Sequence, residues 1–252
     1  MSSDLKIDDI DVDGGVRESA ERAMFELERE GDTRAGFLKK AGLAGGAAVS
    51  GGAILGALVP GTALGAKGGS GRPPKSFGKG DIGILNFALT LEYLENEFYK
   101  EAQANQNQSP FITDQSTLNF LAATVRDEAA HVKGLKKALG KKAAKKPEFD
   151  FGGTTSDEES FQDTSFALEN TGVSAYLGQA YNIDKKAIGK VALSIVTIEA
   201  RHSGLIGEIV AQREGDDYQE AANRIAPDGP FDKPKTARQV LKAVDNTGFI
   251  VG

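Results

Sequence analysis

From Asp81 onward, apolar residues recur at alternating three- and four-residue spacings through four long segments, the period of helices with one face turned inward. The first segment runs from about Asp81, which suits an N-cap, to about Ala104. Its inward face carries Leu85, Leu89, Glu92, Asn96 and Tyr99, with Ile84, Ala88, Leu91, Glu95 and Phe98 beside them. The second, from about Thr113 to Leu139, carries Leu118, Leu121, Val125, Glu128, Val132, Leu135 and Leu139. The third, from about Phe161 to Tyr181, places Glu169, Val173, Tyr176 and Ala180 on one face. The fourth, from about Lys185 to Glu214, has a seam of Ile188, Val191, Ile195, Ile198, Glu199, His202, Leu205, Ile206 and Ile209. A carboxylate interrupts every apolar face. No alternating strand pattern competes, so the pattern predicts an all-α four-helix bundle over residues 81–214. Residues 215–252, with Pro227, Pro230 and Pro234, form an extension with a short helix from about Thr236 to Val244.

The N-terminal third has a different texture. Residues 1–33 hold eleven acids and four bases, and residues 1–40 read as an acidic, flexible arm. Residues 41–66 carry no charge and consist mostly of Ala, Gly, Leu and Val, behind a basic flank of Arg34, Lys39 and Lys40. Small residues at Ala63, Gly65 and Ala66 suit a signal peptidase. The stretch Thr33-Arg34-Ala35-Gly36-Phe37-Leu38-Lys39 resembles the twin-arginine export motif, with Ala35 where the second arginine belongs. This layout predicts export to the cell envelope, or a membrane tether, since about 20 apolar residues suffice to cross a bilayer. Eight glycines between Gly42 and Gly65 support a flexible linker as the alternative. Residues 67–80 are a linker by composition.

Composition then narrows the chemistry. Among 252 residues there is no cysteine, which excludes disulfides, thiolate metal sites, iron–sulfur clusters and thiol nucleophiles in this chain. A net charge of −6 gives no electrostatic case for nucleic acid as a partner. The two histidines, His131 and His202, both close a Glu-x-x-His motif, Glu128 to His131 and Glu199 to His202. Glutamate fills 18 of 252 positions, so this coincidence has a chance probability of about 0.005. The spacing sets both side chains on one helical face, where they converge on one ion. Glu92 and Glu169 on the other two helices are each followed seven residues later by a tyrosine, Tyr99 and Tyr176. The chain therefore reads as two copies of one hairpin, a Glu/Tyr helix followed by a Glu-x-x-His helix. Two such hairpins supply four carboxylates and two imidazoles around a centre for two ions. Glu95, about 60° around the helix from Glu92, is a further candidate as ligand, outer acceptor or swing-in carboxylate. Glu92 is the favoured first-helix ligand, because only it matches the spacing of Glu169. Four unpaired buried carboxylates would cost several kcal/mol each, and neither Lys nor Arg lies on the inward faces to offset them. Asp127 and Arg201 read as solvated surface.

The connection from Gly140 to Ser160, basic at first and then rich in Gly, Thr and acid, makes a long middle crossover, the ferritin-like arrangement. Residues 81–251 resemble the ferritin-like superfamily, in particular its ferritin-like domain branch that includes desiccation-related proteins. The stretches LNFALTLEYLENEFY, RDEAAHVKGL, FALENTGVSAYLG and IEARHSGLI carry the likeness. The resemblance implies Glu92 and Glu169 as terminal or bridging ligands, Glu128 and Glu199 as bridging carboxylates, and His131 and His202 as one imidazole per metal. Oxygen-rich sites of this type suit iron or manganese, with zinc as a substitute, and the resemblance favours two Fe ions.

Two functions follow as expectations. One is a di-iron or di-manganese enzyme acting on O₂ or peroxide as a ferroxidase or peroxidase, with Tyr99 or Tyr176 supplying a proton or electron. The other is a non-catalytic stress, envelope or assembly protein that contains metal and uses its N-terminal extension for contacts. Core packing is the competing role for both tyrosines. A homo-oligomer is expected in either case.

Overall fold

The structure, a computed structural model, describes residues 71–251; the acidic arm and the uncharged run of residues 41–66 lie outside the described residues. Four long helices, α1 (Gly80–Gln108), α2 (Gln115–Leu139), α3 (Glu158–Ala180) and α4 (Lys186–Glu214), are followed by two short ones, α5 (Tyr218–Ile225) and α6 (Ala237–Thr247). The sequence pattern anticipates α6 but not α5. The only strand-like pairing among the described residues is an isolated bridge between Phe149 and Ile250. No helix among them is long and apolar enough to cross a membrane.

Local chemistry sets most helix starts. Asp114 accepts from Thr117 N–H at 2.7 Å to open α2, and Asp157 accepts from Ser160 N–H at 2.9 Å to open α3. Asp81 departs from its expected role, because α1 begins one residue earlier with Lys79 as a cap that lacks a side-chain bond. The Asp81 carboxylate instead accepts from the backbone N–H groups of Asp184 (2.8 Å) and Lys185 (3.1 Å), and so caps the start of α4 from another helix. The composition-based linker also ends earlier than expected. Gly71 C=O accepts from Ala237 N–H at 3.1 Å and from the Gln179 side chain at 2.8 Å, and Phe77 packs edge-on against Phe87.

The helices α1 and α2 form one hairpin and α3 and α4 the other, joined face to face through α1 against α3 and α2 against α4. The crossover must travel the length of the bundle to start α3 beside the far end of α1. At one end the Asn86 side chain donates to Lys142 C=O at 3.0 Å and accepts from Ala144 N–H at 2.8 Å. At the other, the Asn105 side chain donates to Thr155 C=O at 3.0 Å, while Thr155 Oγ1 donates to Glu101 at 2.6 Å. Covered by neighbours and crossover, α1 is buried on nearly all sides from Gly83 to Tyr99. Two apolar clusters divide the core. Phe98, Tyr99, Phe120 and Phe161 belong to one, and Leu85, Leu89, Leu135 and Ile195 to the other. Along α2, Glu128 lies between Phe120 and Leu121 of the first cluster and Leu135 and Leu139 of the second.

The seam of α4 is narrower than its apolar pattern. Ile195, Glu199, His202, Ile206 and Ile209 are buried, but Val191 and Leu205 are exposed and Ile198 is half-buried. These three share a heptad position, and Ile198 and Leu205 each stand about 100° around the helix from the buried residue that follows, Glu199 and Ile206.

Candidate metal centre

The polar layer is closed to solvent. Glu92, Glu128, Glu169 and Glu199 have no exposed surface, and Glu95 is 3% exposed. Ligand-type atoms of Glu92, Glu128, His131 and Glu199 lie within 4.8 Å of one another, and the same holds for Glu128, Glu169 and His202. A third such group is Glu95, Glu169 and Glu199. All seven residues singled out as metal candidates therefore meet in one centre, and Glu95 joins Glu92 there rather than replacing it.

Both imidazoles turn Nδ1 toward the carboxylates. His131 Nδ1 lies 2.8 Å from Glu128 and 3.2 Å from each of Glu92 and Glu199, while His202 Nδ1 lies 3.2 Å from Glu128 and 3.3 Å from Glu169. Several of these approaches have ion-pair distance without hydrogen-bond geometry. Glu128 Oε1, Glu169 Oε2, both Glu199 oxygens and His202 Nδ1 are buried with no hydrogen-bond partner. Five such atoms aimed into one volume are costly as an apolar-core feature. They fit a cationic occupant, because every one is a lone-pair donor once the imidazole is neutral.

The proton affinities reflect the same crowding. Burial pushes the Glu92 carboxyl up to about 8, against the lowering effect of His131. Burial, reinforced by neighbouring carboxylates, holds Glu95 and Glu199 well above the usual carboxylate range. Burial also raises Glu169, against the contact with His202. Glu128 departs from the others: burial pushes it up, but the contacts from both imidazoles outweigh this and bring it down to about 2. Burial depresses the imidazoles, yet the carboxylates around them prevail, so that His202 rises to about 11 and His131 rises too. Without metal, the cluster favours the charged form of both imidazoles and the protonated form of Glu92, Glu95, Glu169 and Glu199, with Glu128 held as the carboxylate.

The tyrosines cross between hairpins. Tyr99 on α1 donates to Glu169 on α3 at 2.5 Å, and Tyr176 on α3 donates to Glu92 on α1. The repeat of Glu and Tyr seven residues apart thus produces two reciprocal links, each hydroxyl holding the carboxylate of the other hairpin. Burial, with the facing Glu169 and Glu92 carboxylates, raises both phenols well above their usual range. Both residues are buried, so they are packed in the core and bonded to the centre at once.

Two features escaped the sequence reading. Asp127, expected on the solvated surface, accepts from His202 Nε2 at 3.2 Å. Arg126 in turn clasps Asp127 through two bonds of 2.6 and 2.7 Å. Its signal was an acid directly before Glu-x-x-His on α2; the matching residue on α4 is Ile198, which offers His131 no such partner. Arg201 does face solvent, donating only to Thr197 C=O on its own helix. The second feature is Gly172, three residues after Glu169 as Glu95 is three after Glu92. A Cβ there would come within 2.8 Å of Glu199 Oε2 and 3.3 Å of Glu95 Oε1. Where one hairpin has a fifth carboxylate, the other has the space that receives it.

No curated protein matches the chain significantly. The helical hairpin pair, its long crossover and the buried carboxylate and imidazole centre agree with the match of one family model, the ferritin-like domain, to residues 80–212, and the chain belongs to that family.

Proposed function

We propose that this centre holds two iron ions, with manganese as the alternative, and that it reacts with O₂ or peroxide as a ferroxidase or peroxidase. The observation that carries the reading is the convergence of five unpartnered buried ligand atoms on one solvent-excluded volume. Glu92, Glu128, Glu169, Glu199, His131 and His202 would hold the metals, and Glu95 offers a seventh ligand on the side facing Gly172. A metal pair held there would supply two electrons and Lewis acidity for the reduction of O₂ or peroxide. The protein's part is to keep the carboxylates oriented, through Tyr99 on Glu169 and Tyr176 on Glu92, and to fix the His202 ring through Asp127. Both phenols keep their protons at neutral pH, so each stands one bond from a ligand as a proton donor.

Elemental analysis of the purified chain tests the site. About two Fe or Mn per chain are expected, and no metal after reconstitution overturns the reading. For catalysis, the loaded protein oxidises Fe(II) or consumes peroxide faster than a Glu128→Ala, Glu199→Ala variant. Equal rates leave containment of metal as the function. One observation favours that second reading: the five carboxylates of the centre are buried, with Glu95 the most open at 3% exposure, so a bulky substrate meets almost none of their surface. A stress-related role of the desiccation-associated kind fits it.

Export or tethering at the cell envelope through residues 41–66 belongs to the same proposal, supported by that uncharged run and its basic flank. N-terminal sequencing of native protein tests cleavage near Ala66. Homo-oligomerisation is supported by Val191, Leu193 and Leu205 standing exposed on α4, and light scattering of the purified chain tests it.

A further inference from the structure

Seven lysines and no acid lie between Lys133 and Lys146, although residues 67–252 together are slightly acidic. All seven are exposed. Lys133, Lys136 and Lys137 share a face of the last turns of α2, and Lys141, Lys142, Lys145 and Lys146 continue through a short 3-10 turn into the crossover. Among them only Lys146 has a carboxylate within ion-pair distance among the described residues, Glu97 at 2.6 Å. An open groove of about 520 Å³ runs beside them, lined by Lys100, Lys136, Lys145 and Lys146, with Glu97 as its one acid. One or two lysines at the end of α2 would serve the helix dipole. The remainder repel one another, and an outside counter-charge relieves that repulsion.

Position adds a second observation. The Asn86 side chain donates both to Phe77 C=O (2.9 Å) and to Lys142 C=O (3.0 Å). The chain segment that enters the bundle and the lysine cluster are therefore held at the same end. In sequence, the uncharged run of residues 41–66 precedes that entry by little more than ten residues.

We propose that this lysine face docks on anionic lipid headgroups, with lipid phosphates taken into the groove beside Lys136 and Lys145. The choice of a membrane as the source of phosphate rests on the envelope location proposed above; the arrangement of the lysines does not. Each basic residue near such a surface strengthens partitioning roughly fivefold. A compact cluster at one end of a bundle suits a planar surface better than the stripe a duplex needs.

The full chain, loaded with metal, is sedimented with phosphatidylcholine vesicles and with vesicles carrying roughly one third phosphatidylglycerol. Partitioning onto the anionic vesicles is expected to be at least about tenfold stronger and to fall steeply with salt. A Lys133→Gln, Lys136→Gln, Lys137→Gln, Lys145→Gln variant, changed only at exposed positions, keeps its helical circular dichroism and metal content but loses that preference. Equal binding to both vesicles by the parent chain, or a preference that survives in the variant, overturns the proposal. So does stronger binding to duplex DNA than to anionic vesicles at equal phosphate, if the variant loses it. Binding to neutral vesicles reports on residues 41–66 separately, so a failed tether leaves the anionic preference standing and measurable.

Discussion

Asp127 does its work on a residue of another helix. Its carboxylate joins His202 Nε2 to Arg126, which fixes the ring so that Nδ1 faces Glu128 and Glu169. Outer partners of this kind are worth about 10–100-fold in metal affinity. Because Ile198 stands at the matching place for His131, the two metal positions should differ. Asp127→Asn is expected to weaken one of the two bound ions by that factor and leave the other nearly unchanged, which a calorimetric metal titration resolves as a split in two previously closer affinities. Gly172 tests the opposite side of the centre. Adding a methyl there displaces the Glu199 and Glu95 carboxylates, while alanine in a helix interior gains about 1 kcal/mol over glycine. Gly172→Ala should therefore lower metal affinity about tenfold or more without lowering the melting temperature of the metal-free protein; a drop in both would mean that the site cannot adjust even when empty of metal.

The elements depend on bonds made between them as much as on their own propensities. The first turn of α4 has no capping side chain of its own, since Lys185 stands at its N-cap, and it relies on Asp81 of α1. Asp81→Ala should cost about 1 kcal/mol of stability, the usual value of a lost cap, and raise amide exchange at Asp184 and Lys185 rather than at the start of α1. Exchange confined to Gly80–Gly83 would contradict the role of Asp81 in α4. Similar closeness appears where the C-terminal extension lies on α3. Lys235 N–H donates to Ser174 C=O at 2.9 Å, and Gly178 has no room for a Cβ against Lys235 C=O. Glycine in a helix carries a propensity cost, and here it admits a backbone that covers the outer side of α3. Residues outside the four-helix core are thus part of its wall.

For the molecule as a whole, the acid cluster couples stability to pH in a direction opposite to that of most paired carboxylates. Glu92 is raised from 4.5 to about 8 and His202 from 6.5 to about 11, with Glu95, Glu169, Glu199 and His131 also raised. Groups raised in this way bind more protons when folded than unfolded, so each contributes stability that is complete below its unfolded pKa and declines as pH rises toward its folded value. The metal-free protein should lose melting temperature from about pH 5 to about pH 11, with the Glu92 part of the decline complete by about pH 8 and the His202 part continuing to about pH 11. Glu128, lowered to about 2, adds stability above the ordinary carboxylate range that is lost only in stronger acid. Metal replaces those protons, so metal affinity should rise with pH over the same range, and the loaded protein's melting curve should be flatter. A metal-free protein that gains stability between pH 5 and pH 8 would contradict the arrangement of buried acids.

The four helices were legible in the chain because a 3.6-residue period and an apolar seam are local properties, and the motif Glu-x-x-His carries its own geometry within one turn. Length and spacing along the chain likewise pointed to the long crossover and to six residues of the centre, while the place of Glu95 was left open. Other relations are made only by tertiary contact. Tyr99 reaches Glu169 and Tyr176 reaches Glu92 because the hairpins face each other, and no spacing within one helix encodes which carboxylate a hydroxyl will meet. Asp81 left its own helix for the start of α4, Asp127 left the surface for His202, and Gly172 became the counterpart of Glu95, all through approaches between residues far apart in sequence. Val191 and Leu205 turned outward for the same reason: periodicity states that a stripe is apolar, but the width that a neighbouring helix covers is decided by packing. The sequence by itself determined which groups are present and on which helical face; the tertiary structure decided which of them share a hydrogen bond, a partner or a common centre, because those are questions of distance across helices.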